Sequence, residues 1–262
     1  MGKNKLKKFG ELAELDFVYQ YPYARLAEEG FPMRGRWHEV FGNDRPIVLE
    51  LGCGKGEYTV GLAQRDPSRN YIGIDIKGAR MHTGAMAAKR MELKNVAFIR
   101  TGIEMLESFF AEGEVADIWV TFPDPQMQKA GKRLTGTRFC SMYRRVAAPG
   151  CVLRLKTDSP FLYAYTKRMA ETNGLAIEAA TSDLYADGSV ESMPWLGIRT
   201  HYEQQWLERG LTIKYLAFAL AGDKALEEPN VDDIEPDTYR SYSRGYIQMP
   251  ELMKKEEIKN NK

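Results

Sequence analysis

Residues 47–172 alternate between short apolar runs and stretches of helical character, and this alternation restricts the fold more than any other feature. The runs 47–51, 71–76, 96–100, 115–121 and 151–156 read as strands. The stretches 57–65, 79–93, 104–110, 137–146 and 160–172 read as the helices between and after them. Near-continuous apolar strands joined by helical crossovers predict a parallel sheet covered on both faces. Segments 175–180 and 212–220 add two late strands at one edge. The expected fold class is therefore α/β: a doubly wound, mostly parallel, seven-stranded, Rossmann-like sheet with helices on both faces.

Residues 41–250 are expected to form the domain, with residues 1–40 as an N-terminal extension and 251–262 as a charged tail. The first twenty residues carry Lys3, Lys5, Lys7 and Lys8 and read either as a flexible arm or as an ordinary solvated terminus. Segment 226–238, acidic and with two prolines, is expected to run irregularly over the surface. A net charge of +1 does not announce a nucleic-acid binder, although a total averages over all faces. Cys53, Cys140 and Cys151 are too few for a disulfide framework and favour a reducing cytoplasm. No metal-ligand spacing joins them to His38, His82 or His201, so no metal is expected. The basic N-terminus lacks the apolar run of a signal peptide, and no apolar stretch is long enough to span a membrane.

The first strand runs directly into alternating glycines in VLELGCGKG, residues 48–56. In a doubly wound sheet, ligands sit at the carboxyl ends of the strands near the switch in strand order. Gly52 and Gly54 fit a dinucleotide fingerprint, but its third glycine falls on Glu57, and the P-loop pattern is absent. An acid, Glu50, precedes the glycines. A carboxylate there would repel a pyrophosphate and attract a cation, which points to S-adenosylmethionine, a sulfonium without phosphate. Asp75 ends the second strand, where it can accept hydrogen bonds from both ribose hydroxyls of an adenosine. Gly102, Ile103 and Glu104 follow the third strand; Ile103 is placed to pack on an adenine, and helix-start packing explains the trio equally well.

The fourth strand ends in TFPDP, residues 121–125, where two prolines stiffen the backbone around Asp124. That would fix a carboxylate beside a reacting methyl group. From 125 to 157 the chain has no acid but carries Lys129, Lys132, Arg133, Arg138, Arg144, Arg145, Arg154 and Lys156. A basic stretch beside a cofactor loop suggests a phosphate-rich substrate docking through residues such as Lys132 and Arg133. A solvated helix face is the alternative for the part near Arg144.

Taken together, ELGCGKGEYTVGLA (50–63), YIGIDIKGARM (71–81), TFPDPQMQKAGKRL (121–134), LKTDS (155–159) and THYEQQWLERGLTIKYL (200–216) resemble the tRNA (guanine-N7)-methyltransferase family. The resemblance implies a class I methyltransferase fold and methyl transfer from S-adenosylmethionine to a guanosine in the tRNA variable loop, at position 46. By position it makes Glu50 and Asp75 cofactor carboxylates and Asp124 the catalytic residue, also bordering the cofactor. Gln128, Asp158 and Thr200, His201, Tyr202 and Glu203 fall where the family contacts its substrate. Asp158 and Glu203 are further candidates for the guanine edge, with a salt bridge to a nearby arginine as the alternative for Glu203. Gly102 stands where many members carry an acid or asparagine, which would lose a side-chain contact to the adenine. Gln128 stands where lysine is common, with Lys129 adjacent to substitute. Monomer and homodimer stay open. The rival readings are a methyltransferase of another substrate, a non-catalytic tRNA-binding protein and, more distantly, an NAD oxidoreductase.

Overall fold

The computed structural model describes residues 2–21 and 23–238. The N-terminal part comprises α1 (Gly2–Ala13), β1 (Val18–Tyr19), α2 (Tyr23–Glu29) and α3 (Trp37–Phe41). The central part follows as β2 (Ile47–Leu51), α4 (Glu57–Arg65), β3 (Asn70–Ile74), α5 (Gly78–Arg90), β4 (Val96–Ile99), α6 (Leu106–Phe109), β5 (Val115–Thr121), α7 (Thr137–Arg144), β6 (Ala147–Thr157) and α8 (Pro160–Thr172). The last elements are β7 (Ile177–Thr181), α9 (Ser189–Ser192), α10 (His201–Leu207) and β8 (Lys214–Ala219).

The strands form one sheet in the order β1-β4-β3-β2-β5-β6-β8-β7. Every pairing from β1 to β6 is parallel, and β8 runs antiparallel between β6 and β7. The sheet thus has eight strands where seven are expected. The extra one, β1, is two residues long, too short for any period to register, and it lies parallel to β4 with Val18 opposite Phe98. Buried side chains fill both faces, one layer around Leu49, Ile72 and Leu153 and the other around Tyr58, Phe98 and Trp119. Double-sided burial is why these strands read as continuous apolar runs rather than alternating ones.

Residues 1–40 contribute to this packing. Leu12 of α1 is fully buried, and Glu11 reaches His82 of α5 at 2.5 Å. Trp37 stacks on Phe110 and donates its indole N–H to the Phe109 carbonyl, with Tyr19 edge-on and Phe31 tilted against it. Segment 226–238 has no helix or strand, yet it is pinned down. Glu228 accepts hydrogen bonds from Thr137 and Tyr165, and buried Asp237 accepts from Ser159 Oγ and the Phe161 N–H. The expected tail at 251–262 lies outside the described residues. Among the described residues, no helix is long and apolar enough to cross a membrane.

Candidate functional site

Strand order reverses at β2: the chain steps through β3 and β4 on one side, then returns to β5 and β6 on the other. At the carboxyl ends of these strands lies a cavity of about 620 Å³. Gly52 lines it after β2, Asp75, Ile76 and Lys77 after β3, Gly102, Ile103 and Glu104 after β4, and Phe122, Pro123, Asp124 and Gln126 after β5. Four tips of a parallel sheet therefore converge on one opening, the expected place for a ligand in this topology.

Gly52 has φ of +78°, and a Cβ there would meet nothing within 4 Å. The turn needs the left-handed backbone, and a side chain would project into open space that a ligand can use instead. Asp75 braces the same loop. Its Oδ2 accepts from the Gly54 N–H at 2.9 Å and its Oδ1 from the Lys77 N–H at 2.7 Å. Each carboxylate oxygen keeps a lone pair beyond these bonds, so Asp75 can still accept from a diol. The glycine turn also depends on α5, because a Cβ at Gly84 would stand 2.7 Å from the Lys55 carbonyl oxygen and 2.8 Å from Gly56 Cα. Gly84 escaped the sequence reading, since a glycine inside a helix carries no local signal of what it touches.

Glu50 does not line the cavity. It is 2% exposed, beneath the loop. Its Oε2 accepts from the Thr59 N–H at 2.8 Å and the Thr59 hydroxyl at 2.5 Å, and its Oε1 from the Thr121 hydroxyl at 2.7 Å. It thereby ties the end of β2 to the first turn of α4 and to the end of β5. Burial pushes its carboxyl up to about 7 from the usual 4.5, against the three hydrogen bonds that oppose the rise.

The loop after β5 is strained at both ends. Phe122 and Gln126 take φ of +49° and +47°, a region side-chain-bearing residues seldom occupy. Asp124 is exposed between them, with one oxygen accepting from the Gln126 N–H at 3.0 Å. Arg133 supports the loop from within. It is 3% exposed, lies over the Tyr165 ring at 4.2 Å, and donates to the Gln126 and Met127 carbonyl oxygens. Its expected place on a docking surface is thus corrected: it is turned inward because the strained loop offers carbonyls that only a buried donor can satisfy.

Burial sorts the rest of the basic stretch. Arg144 donates to the Ala221 and Lys224 carbonyl oxygens, Arg145 pairs with Glu107, and Arg154 with Asp117. Lys156 is fully buried against Glu203. Lys129, Lys132 and Arg138 keep exposed side chains, and Lys132 and Arg138 line the cavity. Lys77 and Arg80 of the α5 start join them there, two cations the sequence reading passed over. Gln128 is exposed on the same loop, beside Lys129.

The segment Thr200–Glu203 does not line the cavity. Thr200 and Glu203 form a capping box at the start of α10, each side chain accepting from the other's backbone N–H. The Thr-x-x-Glu spacing is the signature of that motif and was legible as such. Glu203 is fully buried. Its carboxylate takes Lys156 Nζ at 2.8 Å and the Tyr185 hydroxyl at 2.5 Å, so it has no edge facing a ligand. The salt bridge considered for it exists, with a lysine rather than an arginine. Lys156 also donates to the Leu196 and Ile198 carbonyl oxygens, and burial lowers its ammonium to about 8. Asp158 is likewise fully buried, and its carbonyl oxygen accepts from Lys214. The exposed His201 and the half-buried Tyr202 stand near the glycine loop. The His201 N–H donates to Glu57 at 3.0 Å, and Tyr202 lies under the Arg80 guanidinium.

Residues 44–216 match a family described as "Putative methyltransferase". The tRNA (guanine-N(7)-)-methyltransferase of Porphyromonas gingivalis is 63% identical over 231 residues, 87% of this chain and 94% of the relative. The protein of the same description from Bacteroides fragilis is 55% identical over 245 residues, 93% of this chain and 96% of the relative. Among solved structures, an antibiotic-related methyltransferase superposes with a TM-score of 0.51 at 17% identity, over 71% of this chain and 92% of that one. At that identity the likeness speaks for the fold alone.

Proposed function

The chain belongs to the tRNA (guanine-N7)-methyltransferase family, and from that premise we propose that its cleft binds S-adenosylmethionine and directs methylation of N7 of a guanosine in the tRNA variable loop. One observation carries the reading: Asp75 and Asp124, from the tips of two different strands, line one cavity whose mouth holds Lys77, Arg80, Lys132 and Arg138. The residues present suit the cofactor. An open cradle over Gly52, a carboxylate for a ribose diol and an apolar Ile103 for a purine face match an adenosyl group that has no phosphate.

S-adenosylmethionine supplies an electrophilic methyl group on sulfur. Asp75 accepts the ribose hydroxyls, and Ile103 packs on the adenine. Glu50 holds the glycine turn in shape, and a sulfonium above the turn favours its ionised form beneath it. Guanine N7 presents an in-plane lone pair and has no proton to lose, so the protein's task is alignment rather than proton abstraction. Asp124 accepts from the guanine N1–H and N2–H edge and stabilises the positive charge the base gains on methylation. Lys129, Lys132 and Arg138 receive the tRNA phosphates, while Arg133 keeps the Asp124 loop in its strained form.

The test is incubation with labelled methyl donor and unmodified tRNA, followed by mapping of the labelled nucleotide. Label at N7 of a variable-loop guanosine is the expected result; label elsewhere refutes the assignment. Asp124→Ala should lower turnover by about 10²–10³-fold with tRNA affinity retained. Unchanged turnover would remove Asp124 from the chemistry.

A further inference from the structure

Segment 226–238 is acidic and irregular, yet two of its acids reach the supports of the loop that carries Asp124. At one end of that loop the Phe122 N–H donates to the Lys156 carbonyl oxygen of β6 at 2.8 Å. At the other end, around Gln126 with its φ of +47°, two groups hold the chain. Arg133 donates to the Gln126 and Met127 carbonyl oxygens, and the backbone N–H of Asp237 donates to Met127 Sδ at 3.0 Å. Strained backbone persists only where its surroundings hold it, so Asp124 keeps its place only while both ends stay tied.

Asp237 reaches Met127 across 110 residues of sequence and is itself firmly fixed. It is 7% exposed, and its carboxylate accepts from Ser159 Oγ at 2.5 Å and from the Phe161 N–H at 3.1 Å, two donors at the start of α8. Negative charge is favoured there, because the first N–H groups of a helix lack partners within it. The same helix carries the Tyr165 ring on which Arg133 lies, and Glu228 accepts from the Tyr165 hydroxyl at 2.8 Å while standing 3.7 Å from the Arg133 guanidinium. Both tethers of the loop therefore rest on α8 and on segment 226–238. We propose that Asp237 is a positioning residue for methyl transfer: anchored on α8, it holds Met127, and through Met127 the strained turn that aims Asp124 at the guanine. It does not line the cavity and acts only through that loop. This rests on the role given to Asp124 above.

Steady-state methyl transfer to tRNA in a double-mutant cycle tests it. Asp237→Ala, assayed well below its melting temperature, should lower kcat by on the order of tenfold or more, as small displacements of an aligning group do. Calorimetric affinity for S-adenosylhomocysteine should hold, because Asp75 and the glycine turn belong to other strands. In an Asp124→Ala chain the same substitution should cost almost nothing further, since the group it aims is gone. A role in stability alone would lower kcat by the same factor in both chains. Met127→Leu keeps the volume and the α8 contacts of Asp237 but removes the sulfur acceptor, and so repeats the test in a chain whose packing is intact. It too should lower kcat in the parent and not in Asp124→Ala. Unchanged kcat in Met127→Leu, or equal losses in the two chains for either substitution, would overturn the proposal alone. Unchanged turnover in Asp124→Ala itself would overturn the role of Asp124, and this inference with it.

Discussion

Substituting Glu50 by glutamine isolates the energetic consequence of placing an acid beneath the glycine loop. The folded protein raises that carboxyl to about 7 from 4.5, chiefly through burial. Between those values the folded chain holds a proton that the unfolded chain has released. The stability contributed by neutral Glu50 is therefore complete below pH 4.5 and is lost as pH rises through about 7. At roughly 1.4 kcal/mol per pH unit, the loss amounts to about 3 kcal/mol. Glutamine cannot ionise and keeps an amide oxygen for the Thr59 N–H, so its variant should lack this slope. Urea unfolding of both proteins from pH 4.5 to 8 measures it, because the other titrating groups cancel in the difference. The variant should gain about 3 kcal/mol on the parent across that range. A difference that stays flat with pH, or that moves in the parent's favour, would refute the argument. A corollary follows at the cleft. A cation above the loop favours ionised Glu50, so affinity for the sulfonium relative to neutral S-adenosylhomocysteine should rise through pH 7 in the parent and not in the variant.

Other perturbations reach other parts of the site. Lys156→Met leaves Glu203 buried without its cation and should cost about 3–5 kcal/mol by chemical unfolding, with Glu203→Gln added in the same chain recovering much of it. Removing exposed Lys129 and Lys132 together should lower the slope of log affinity for tRNA against log salt by about 2. Arg133→Ala should instead lower the melting temperature and leave that slope unchanged. Gly84→Ala drives a methyl into the glycine turn and should destabilise the fold by about 1–3 kcal/mol while weakening cofactor binding by calorimetry.

Much of the fold was legible because its signals are local. The strand β2, the helices α4 and α8 and the strand β5 have the bounds their patterns predict, since doubly buried strands and capped helices write their periods into contiguous residues. The glycine turn, Asp75 and Asp124 were likewise visible, each at a strand tip that topology brings to one cleft. β1 was not, because two residues hold no period, and only pairing with β4 makes them a strand.

What the amino-acid order determined by itself is the alternation of elements, and with it the doubly wound sheet and the place of the cleft. Only the tertiary structure decided which charges face that cleft. Glu50 meets Thr121 across 71 residues and Lys156 meets Glu203 across 47, and these meetings bury both carboxylates against partners from distant segments. The basic stretch looks uniform as a string, yet folding leaves Lys129, Lys132 and Arg138 to solvent and turns Arg133 and Lys156 inward. The reason is that periodicity is a property of neighbours along the chain. A charge's role depends instead on desolvation and on partners from distant segments, which exist only once the chain has packed.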